Sequence, residues 1–185
     1  GLKQEDFSKR IEHVYWLATT GPVVIPYLID YLGDKTENQI RIQVMLVLKK
    51  MGDRAVLPLA PCLFKSDNYL LKENIAKLFS SFRNPVALPF LMLAKKTAPE
   101  KQDKYNKALD SAINKLARKP VETLPEAEQM MLDLALKFYT KNTRIIIPTV
   151  KEYLNLWYWD EEKKQLSFRK LPKFLFYKQI GRAHV

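Results

Sequence analysis

Apolar positions recur through the first two-thirds of the chain with a period of 31 to 32 residues, set by the starting positions 21, 53 and 84. Three segments align: GPVVIPYL at residues 21–28, DRAVLPLA at 53–60 and NPVALPFL at 84–91. Each begins with a residue that can cap a helix: Gly21, Asp53 and Asn84. Apolar residues then follow at three-to-four spacing, so each segment predicts a helix with one buried face.

A second amphipathic helix is predicted after each first one. Its apolar positions repeat at a step of 31 residues: Val14 and Leu17, Met45 and Leu48, Ala76 and Phe79. His13 shares the register of Val44 and Ile75, which predicts an interior or groove-edge histidine. Residues 7–20 therefore predict the second helix of a repeat whose first helix is lost, and the whole pattern predicts about three and a half repeats.

A proline stands five residues after each predicted cap, at Pro26, Pro58 and Pro89, where we expect it to kink the first helix. Paired helices, these prolines and the period resemble HEAT-type repeats, particularly the short bacterial HEAT-like class, over residues 5–118. The resemblance implies an α-solenoid of stacked helical hairpins that serves mostly as a protein-binding scaffold. Some members of that family act on DNA or attach pigments, so the resemblance does not fix the function.

The pattern changes after Lys119-Pro120, and residues 119–179 predict a separate C-terminal part. Thr123 and Glu126 have the spacing of a capping box, which predicts another helix. Residues 154–159 and 165–171 predict two strands of a β-hairpin, joined by the charged turn 160–164, with Pro172 ending the second strand. The predicted fold class is therefore mainly α, an α-solenoid with a C-terminal helix and a β-hairpin.

Both ends of the chain differ from an ordinary protein end. The first residue is Gly1 rather than Met, from which we expect a truncated N-terminus. Residues 180–185 (IGRAHV) correspond, codon by codon, to a common sequencing-library adapter, and we interpret them as an artefact. Localisation therefore stays open, with the cytoplasm preferred.

Composition disfavours several kinds of site. A single cysteine, Cys62, cannot form an internal disulfide, and with two histidines the common Cys/His zinc sites lack ligands. Glycine-rich phosphate loops are absent from the sequence, and the longest uncharged run, residues 14–29, is too short to span a membrane. We interpret Cys62 as a core thiol and the acids at 160–162 as a solvated turn. We therefore predict no catalytic residue, no cofactor and no metal ligand.

With no catalytic site predicted, the formal net charge of +11 is the main indication of function, and it favours binding to a partner. Arg10, Arg41 and Lys72 recur at steps of 31 residues near the start of the second helices. They predict either a basic ladder for an acidic partner or side chains that bond loop acids such as Asp34 and Asp67.

Two other groups are candidate partner-binding residues. Residues 95–119 hold eight basic and three acidic residues, and Lys101, Lys104 and Lys107 are spaced as on one helical face that could track a phosphate backbone. Trp157 and Trp159 predict either an aromatic platform or packing of the hairpin, against the end of the repeats or against sequence beyond Ile180. The sequence favours a non-enzymatic scaffold for a protein partner or another domain of its own chain. The alternative is a basic HEAT-like protein that binds nucleic acid or modifies its bases.

Overall fold

In a computed structural model, the backbone is described for residues 4–140 and 152–183, and the side chains for residues 12–140 and 152–179. The described chain is mainly helical, with a small two-stranded antiparallel sheet. Its helices and strands, in chain order, are α1 (Gln4–Thr20), α2 (Ile25–Gly33), α3 (Asn38–Met51), α4 (Val56–Lys65), α5 (Tyr69–Phe82), α6 (Ala87–Thr97), α7 (Asp103–Ala117), α8 (Ala127–Tyr139), β1 (Tyr153–Asp160), β2 (Gln165–Pro172) and α9 (Lys173–Ala183).

The repeated prolines lie in the first turns of the helices. A 3₁₀ turn at Pro22–Val24 precedes α2, and another at Gly52–Ala55 precedes α4. As a result, Pro26, Pro58 and Pro89 each fall within the first three residues of α2, α4 and α6. The first backbone N–H groups of a helix have no partner within the helix, so proline costs little there. The prediction of a kink inside a longer helix is therefore wrong.

The helices pack in a regular order. Helices α1, α3, α5 and α7 each contact the next in that series, and α4, α6 and α8 do the same. Each of α3, α5 and α7 also packs against the helix that precedes it in the chain. Their apolar faces form one buried core that includes the fully enclosed side chains of Leu32, Leu59, Phe79, Phe90 and Leu109.

Polar side chains join elements that are distant in sequence. The buried amide of Asn74 on α5 donates from Nδ2 to the carbonyl of Leu32 at the end of α2, at 2.9 Å. Asn68 caps α5 by accepting from the Leu71 N–H and donates to the Gly33 carbonyl. The last carbonyls of a helix lack partners within it, so these bonds satisfy groups that α2 alone leaves open.

The β-hairpin forms as predicted and lies over helices rather than at the end of the helix row. Strand β1 pairs with β2 so that Trp157 stands opposite Phe168, and β2 ends at Pro172. Strand β1 packs against α4, and β2 against α2. An exposed ion pair between Lys65 and Glu161, 3.2 Å long, joins α4 to the hairpin turn. The expectation that the hairpin packs against the end of the repeats is thus wrong.

The helices α8 and α9 complete the C-terminal part. Helix α8 contacts both α6 and α9, and α9 also contacts both strands. The predicted capping box does not form, because Glu126 is the N-cap residue without a side-chain bond and the Thr123 hydroxyl donates to the Pro120 carbonyl instead. The backbone of residues 180–183, interpreted as an artefact, continues α9, and residues 184–185 lie outside the described residues.

Within the described residues, none of the helices combines the length and apolar character needed to cross a membrane.

Candidate functional site

Three loops that each join two helices lie side by side and line a groove, here called the loop-edge groove. Two adjoining cavities of about 480 and 530 Å³ form it and share Lys35, Tyr69, Leu70 and Gln102. Its walls are three segments. Residues 33–36 come from the end of α2 and the loop after it, residues 67–70 and Glu73 from the loop before α5 and the first turns of that helix, and residues 101–105 from the loop before α7 and its first turn. The groove is thus built where α2 connects to α3, α4 to α5 and α6 to α7.

Two tyrosines form the apolar part of this groove. The rings of Tyr69 and Tyr105 lie 5.8 Å apart, centroid to centroid, in a tilted arrangement. Tyr105 is buried, and burial raises the pKa of its hydroxyl, so it stays neutral at physiological pH. Aromatic rings in contact favour tilted geometries and offer apolar surface with a polar edge. Because Tyr105 is buried, the half-buried ring of Tyr69 is the one that offers apolar surface in the groove, and Tyr105 packs against it.

Three lysines in the walls are available for an acidic ligand. Lys35, Lys101 and Lys104 are exposed, and none of them has a hydrogen bond or ion pair within the described part of the chain. Exposed cations without partners keep their full capacity to pair with carboxylates.

Two of the acids in the same walls already have partners. The Asp34 carboxylate accepts from both the backbone N–H and the hydroxyl of Thr36, each at 2.7 Å, and these bonds hold its pKa below the ordinary value. Glu73 pairs with Lys77 at 2.6 Å. The charge of Glu73 is thus partly neutralised by its ion pair, whereas Asp34 stays charged. Asp67 and Asp103 also line the groove, so the three lysines lie among acids.

The predicted basic ladder divides between two roles. The Arg41 guanidinium donates to the backbone carbonyl of Asp34 and to Oδ1 of Asn38, so it bonds the loop through a carbonyl rather than through the expected Asp34 carboxylate. Lys72 is half-buried with its Nζ 5.2 Å from the centroid of the Tyr69 ring. Desolvation lowers the pKa of Lys72, and the charge of Asp67 opposes this shift. The Arg10 side chain lies outside the described residues.

The lysines predicted to share one helical face do not do so. Lys101 precedes α7, which begins at Asp103, while Lys104 and Lys107 lie within it. Lys101 and Lys104 line the groove, whereas Lys107 is exposed outside its lining. The cause is the loop before α7, which carries Lys101 out of the helical register.

The aromatic residues of the hairpin are mostly packed. Trp157 is 9% exposed and lies against Phe168 with 4.8 Å between ring centroids. Trp159 is half-buried, and its indole Nε1 is buried with no hydrogen-bond partner in the described part of the chain. Tyr158, on the opposite face of the strand from Trp157, is more exposed. The packing of Trp157 thus places it in the core rather than on an open platform.

Neither Cys62 nor His13 joins a chemical site. Cys62 is fully buried, and burial raises the pKa of its thiol, so the reactive thiolate is disfavoured. His13 is exposed, so of the interior and groove-edge positions that its register predicts, the interior one is wrong. Within residues 12–140 and 152–179, His, Cys, Asp and Glu side chains form no group of three suited to a metal ion.

Sequence reasoning missed Lys35, Tyr69 and Tyr105, which line the groove together with the predicted Lys101 and Lys104. The two tyrosines stand in the first turns of α5 and α7, and Lys35 stands in the loop before α3. The sequence feature that could have indicated the two tyrosines is an aromatic residue at the predicted boundary between a loop and a helix. Comparison with protein-family models, with curated proteins and with solved structures finds no match for this chain.

Proposed function

We propose that the chain is a HEAT-like helical-repeat scaffold, without a reaction of its own, that binds a partner protein through the loop-edge groove. The repeat organisation draws support from the helix contacts, in which α3, α5 and α7 each pack against the preceding helix and against one another in order. Such stacking is how repeat proteins build extended binding surfaces.

The loop-edge groove is the observation that carries the proposal. Neighbouring packed helices lie about 8–10 Å apart, so a groove across the starts of α3, α5 and α7 is about 20 Å long. An extended chain rises about 3.3 Å per residue, so about six residues of a partner fit along it. The half-buried ring of Tyr69 can contact an apolar side chain, while Lys35, Lys101 and Lys104 can pair with acids on either side. The expected ligand is an extended acidic segment of a protein.

A nucleic acid is the weaker ligand for this surface. Asp103 lies between Lys101 and Lys104 in sequence and lines the same cavity. Further along α7, Asp110 binds Lys95 at 3.0 Å, which removes one of the cations counted in the basic run. A phosphate backbone carries a charge at every nucleotide and would meet these acids at close range, whereas a peptide can place its acids opposite the lysines alone.

The test is selection of random peptides displayed on phage against the full chain, followed by affinity measurement of the enriched peptides. We expect enriched peptides to combine acidic residues with an apolar one. The double substitution K101A/K104A should weaken them about 5- to 10-fold, since exposed charge pairs contribute about 0.2–1 kcal/mol each.

The matched control removes the same charge from the same region. The double substitution K107A/K115A changes two lysines of α7 that lie outside the groove lining, and it should leave the affinity within about twofold. Equal losses in both double variants would show a non-specific charge effect and overturn the proposal. The proposal would also be overturned if none of the enriched peptides bound saturably.

A further inference from the structure

Helices α3, α5 and α7 end together at one edge of the molecule. All three begin at or beside the walls of the loop-edge groove, they contact one another in series, and they have 14, 14 and 15 residues. An α-helix rises about 1.5 Å per residue, so their last turns lie about 21 Å from the groove. The residues at these ends, 49–54, 81–84 and 114–122, are here called the far edge.

The far edge is strongly basic. It holds seven cations and two acids, whereas the residues that line the groove hold three cations and four acids. Lys50 bonds the Tyr15 hydroxyl, and Arg54 donates to the Ala18 carbonyl. The other five cations are exposed and have no side-chain hydrogen bond or ion pair within the described part of the chain: Lys49, Arg83, Lys115, Arg118 and Lys119. These five charges are thus available to a ligand.

Two of the five cations stand where the backbone favours glycine. Arg83 and Arg118 are the first residues after α5 and α7, and both adopt left-handed backbone angles, with φ of 56° and 54°. The corresponding residue after α3 is Gly52, with φ of 60°. Glycine is the usual residue at such helix ends because it has no Cβ to clash with the backbone. What arginine adds at these two positions is therefore its exposed charge.

Charge is the main feature that the far edge offers to a ligand. Among the large apolar side chains that the described residues expose, none lies in residues 49–54, 81–84 or 114–122. Protein interfaces have an apolar core, and single-stranded nucleic acids stack their bases on aromatic rings. Stable membrane binding by a basic patch needs a second signal, such as an inserted apolar group. A duplex nucleic acid needs none of these, because its backbone is bound mainly through charge.

The dimensions of the far edge suit a duplex backbone. Neighbouring packed helices lie about 8–10 Å apart, so the three helix ends span about 20 Å. A duplex rises about 3.4 Å per base pair, so this span covers about six base pairs. Arg83 and Arg118 lie at the ends of neighbouring helices, and a guanidinium can donate two parallel hydrogen bonds to one phosphate.

We propose that the far edge binds the phosphate backbone of a duplex nucleic acid without reading its sequence, and that Arg83 and Arg118 are the central contacts. The far edge and the loop-edge groove lie at opposite ends of α3, α5 and α7, so this inference does not depend on the peptide binding proposed above. The chain then holds a duplex and an acidic segment of a protein at opposite ends of the same helices.

The test is fluorescence anisotropy of labelled duplexes with the full chain at about 50, 100 and 200 mM salt, using DNA and RNA duplexes of about 24 base pairs. For about four phosphate contacts, we expect log K to fall with log salt at a slope of about −3.6, which is about 100-fold between the lowest and highest salt. Binding of either duplex with this salt dependence supports the proposal, and the two affinities show which duplex the far edge prefers.

The double substitution R83G/R118G removes the two central contacts. Because glycine suits the left-handed backbone, this variant should fold with a Tm close to that of the native chain, measured by circular dichroism. We expect its affinity at about 50 mM salt to fall at least about 10-fold and its salt slope to weaken to about −1.8. It should leave the affinity for acidic peptides within about twofold.

The matched control is K101A/K104A, which removes the same charge from the groove. Charges separated by more than a Debye length are largely screened, so this variant should keep the native salt slope and a duplex affinity within about twofold. Equal losses in the two double variants would show an effect of net charge alone and overturn the proposal.

Two further outcomes would also overturn it. One is the absence of binding to both duplexes at about 50 mM salt, where phosphate contacts are strongest. The other is sedimentation of the chain with vesicles of phosphatidylcholine and about 30% phosphatidylserine but no duplex binding, which would identify a membrane surface as the ligand. Peptide affinity is measured on the same variants, so failure of the far edge is distinguishable from failure of the loop-edge groove.

Discussion

The substitution Asn74→Asp replaces the buried donor that joins α5 to α2 with an acceptor of the same shape. In the native protein, Nδ2 of Asn74 donates to the Leu32 carbonyl at 2.9 Å across 42 residues of sequence. Leu32 is fully buried, so water cannot replace the lost donor. The ionised aspartate would face this carbonyl with two acceptors and no proton to share.

The expected cost follows from these contacts. A buried acceptor left without its donor costs about 1–3 kcal/mol, and a charged group in the same place costs more. We therefore expect a loss of at least about 2 kcal/mol in the free energy of unfolding at neutral pH. For a chain of this size that corresponds to a fall of about 4–8 °C in Tm, since each kcal/mol shifts Tm by about 2–4 °C.

The loss should depend on pH, because a protonated aspartate can again donate. Burial without a partner raises the pKa of the introduced carboxyl above its unfolded value near 3.9, so the destabilisation grows as pH rises from about 4 to about 7. Urea unfolding followed by circular dichroism at both pH values measures it. The control is Gln43→Glu, the same chemical change 31 residues earlier at a half-buried position, expected to stay within about 0.5 kcal/mol. Equal costs for the two variants, or an Asn74→Asp cost independent of pH, would refute the reasoning.

Two further substitutions probe the loop-edge groove and the helix ends beside it. Gly33→Ala should destabilise the protein by about 1–3 kcal/mol, because the added Cβ would lie 2.5 Å from Nδ2 of Asn68 and 3.2 Å from Cβ of Leu71. A double-mutant cycle with Asn68→Ala checks this, and additive costs would contradict a clash that acts through Asn68. Lys72→Met should stabilise the protein most near neutral pH. Desolvation lowers the pKa of Lys72 in the native protein below its ordinary 10.5, so the charged lysine favours the unfolded chain, and methionine removes this cost. Urea unfolding should show this advantage shrinking as pH rises from about 7 to about 10, and a constant advantage would contradict it.

Local patterns in the sequence determined the secondary structure over most of the described chain. The aromatic-rich pattern with a charged turn predicted the hairpin, and its strands form at Tyr153–Asp160 and Gln165–Pro172. The apolar spacing of residues 69–82 likewise corresponds to a helix over that range. Both signals come from residues close together in sequence, where side-chain periodicity reports directly on the backbone conformation. Among the residues that line the groove, Lys101 and Lys104 were predicted as partner-binding residues from the sequence, because a run of basic residues can be counted along the chain.

Tertiary structure alone decided which surfaces meet. The groove unites Lys35 from a loop with Tyr69 and Tyr105 from the first turns of two helices, and no period in the sequence relates those three positions. Likewise, Asn74 finds its acceptor 42 residues away, and the hairpin lies over α2 and α4 rather than at the end of the row. A helix's amphipathic pattern determines which face it buries, whereas the element that covers that face depends on loop lengths and on the packing of the whole chain. For the same reason, His13 shares the register of the buried Val44 and Ile75 in the sequence and is exposed in the folded protein.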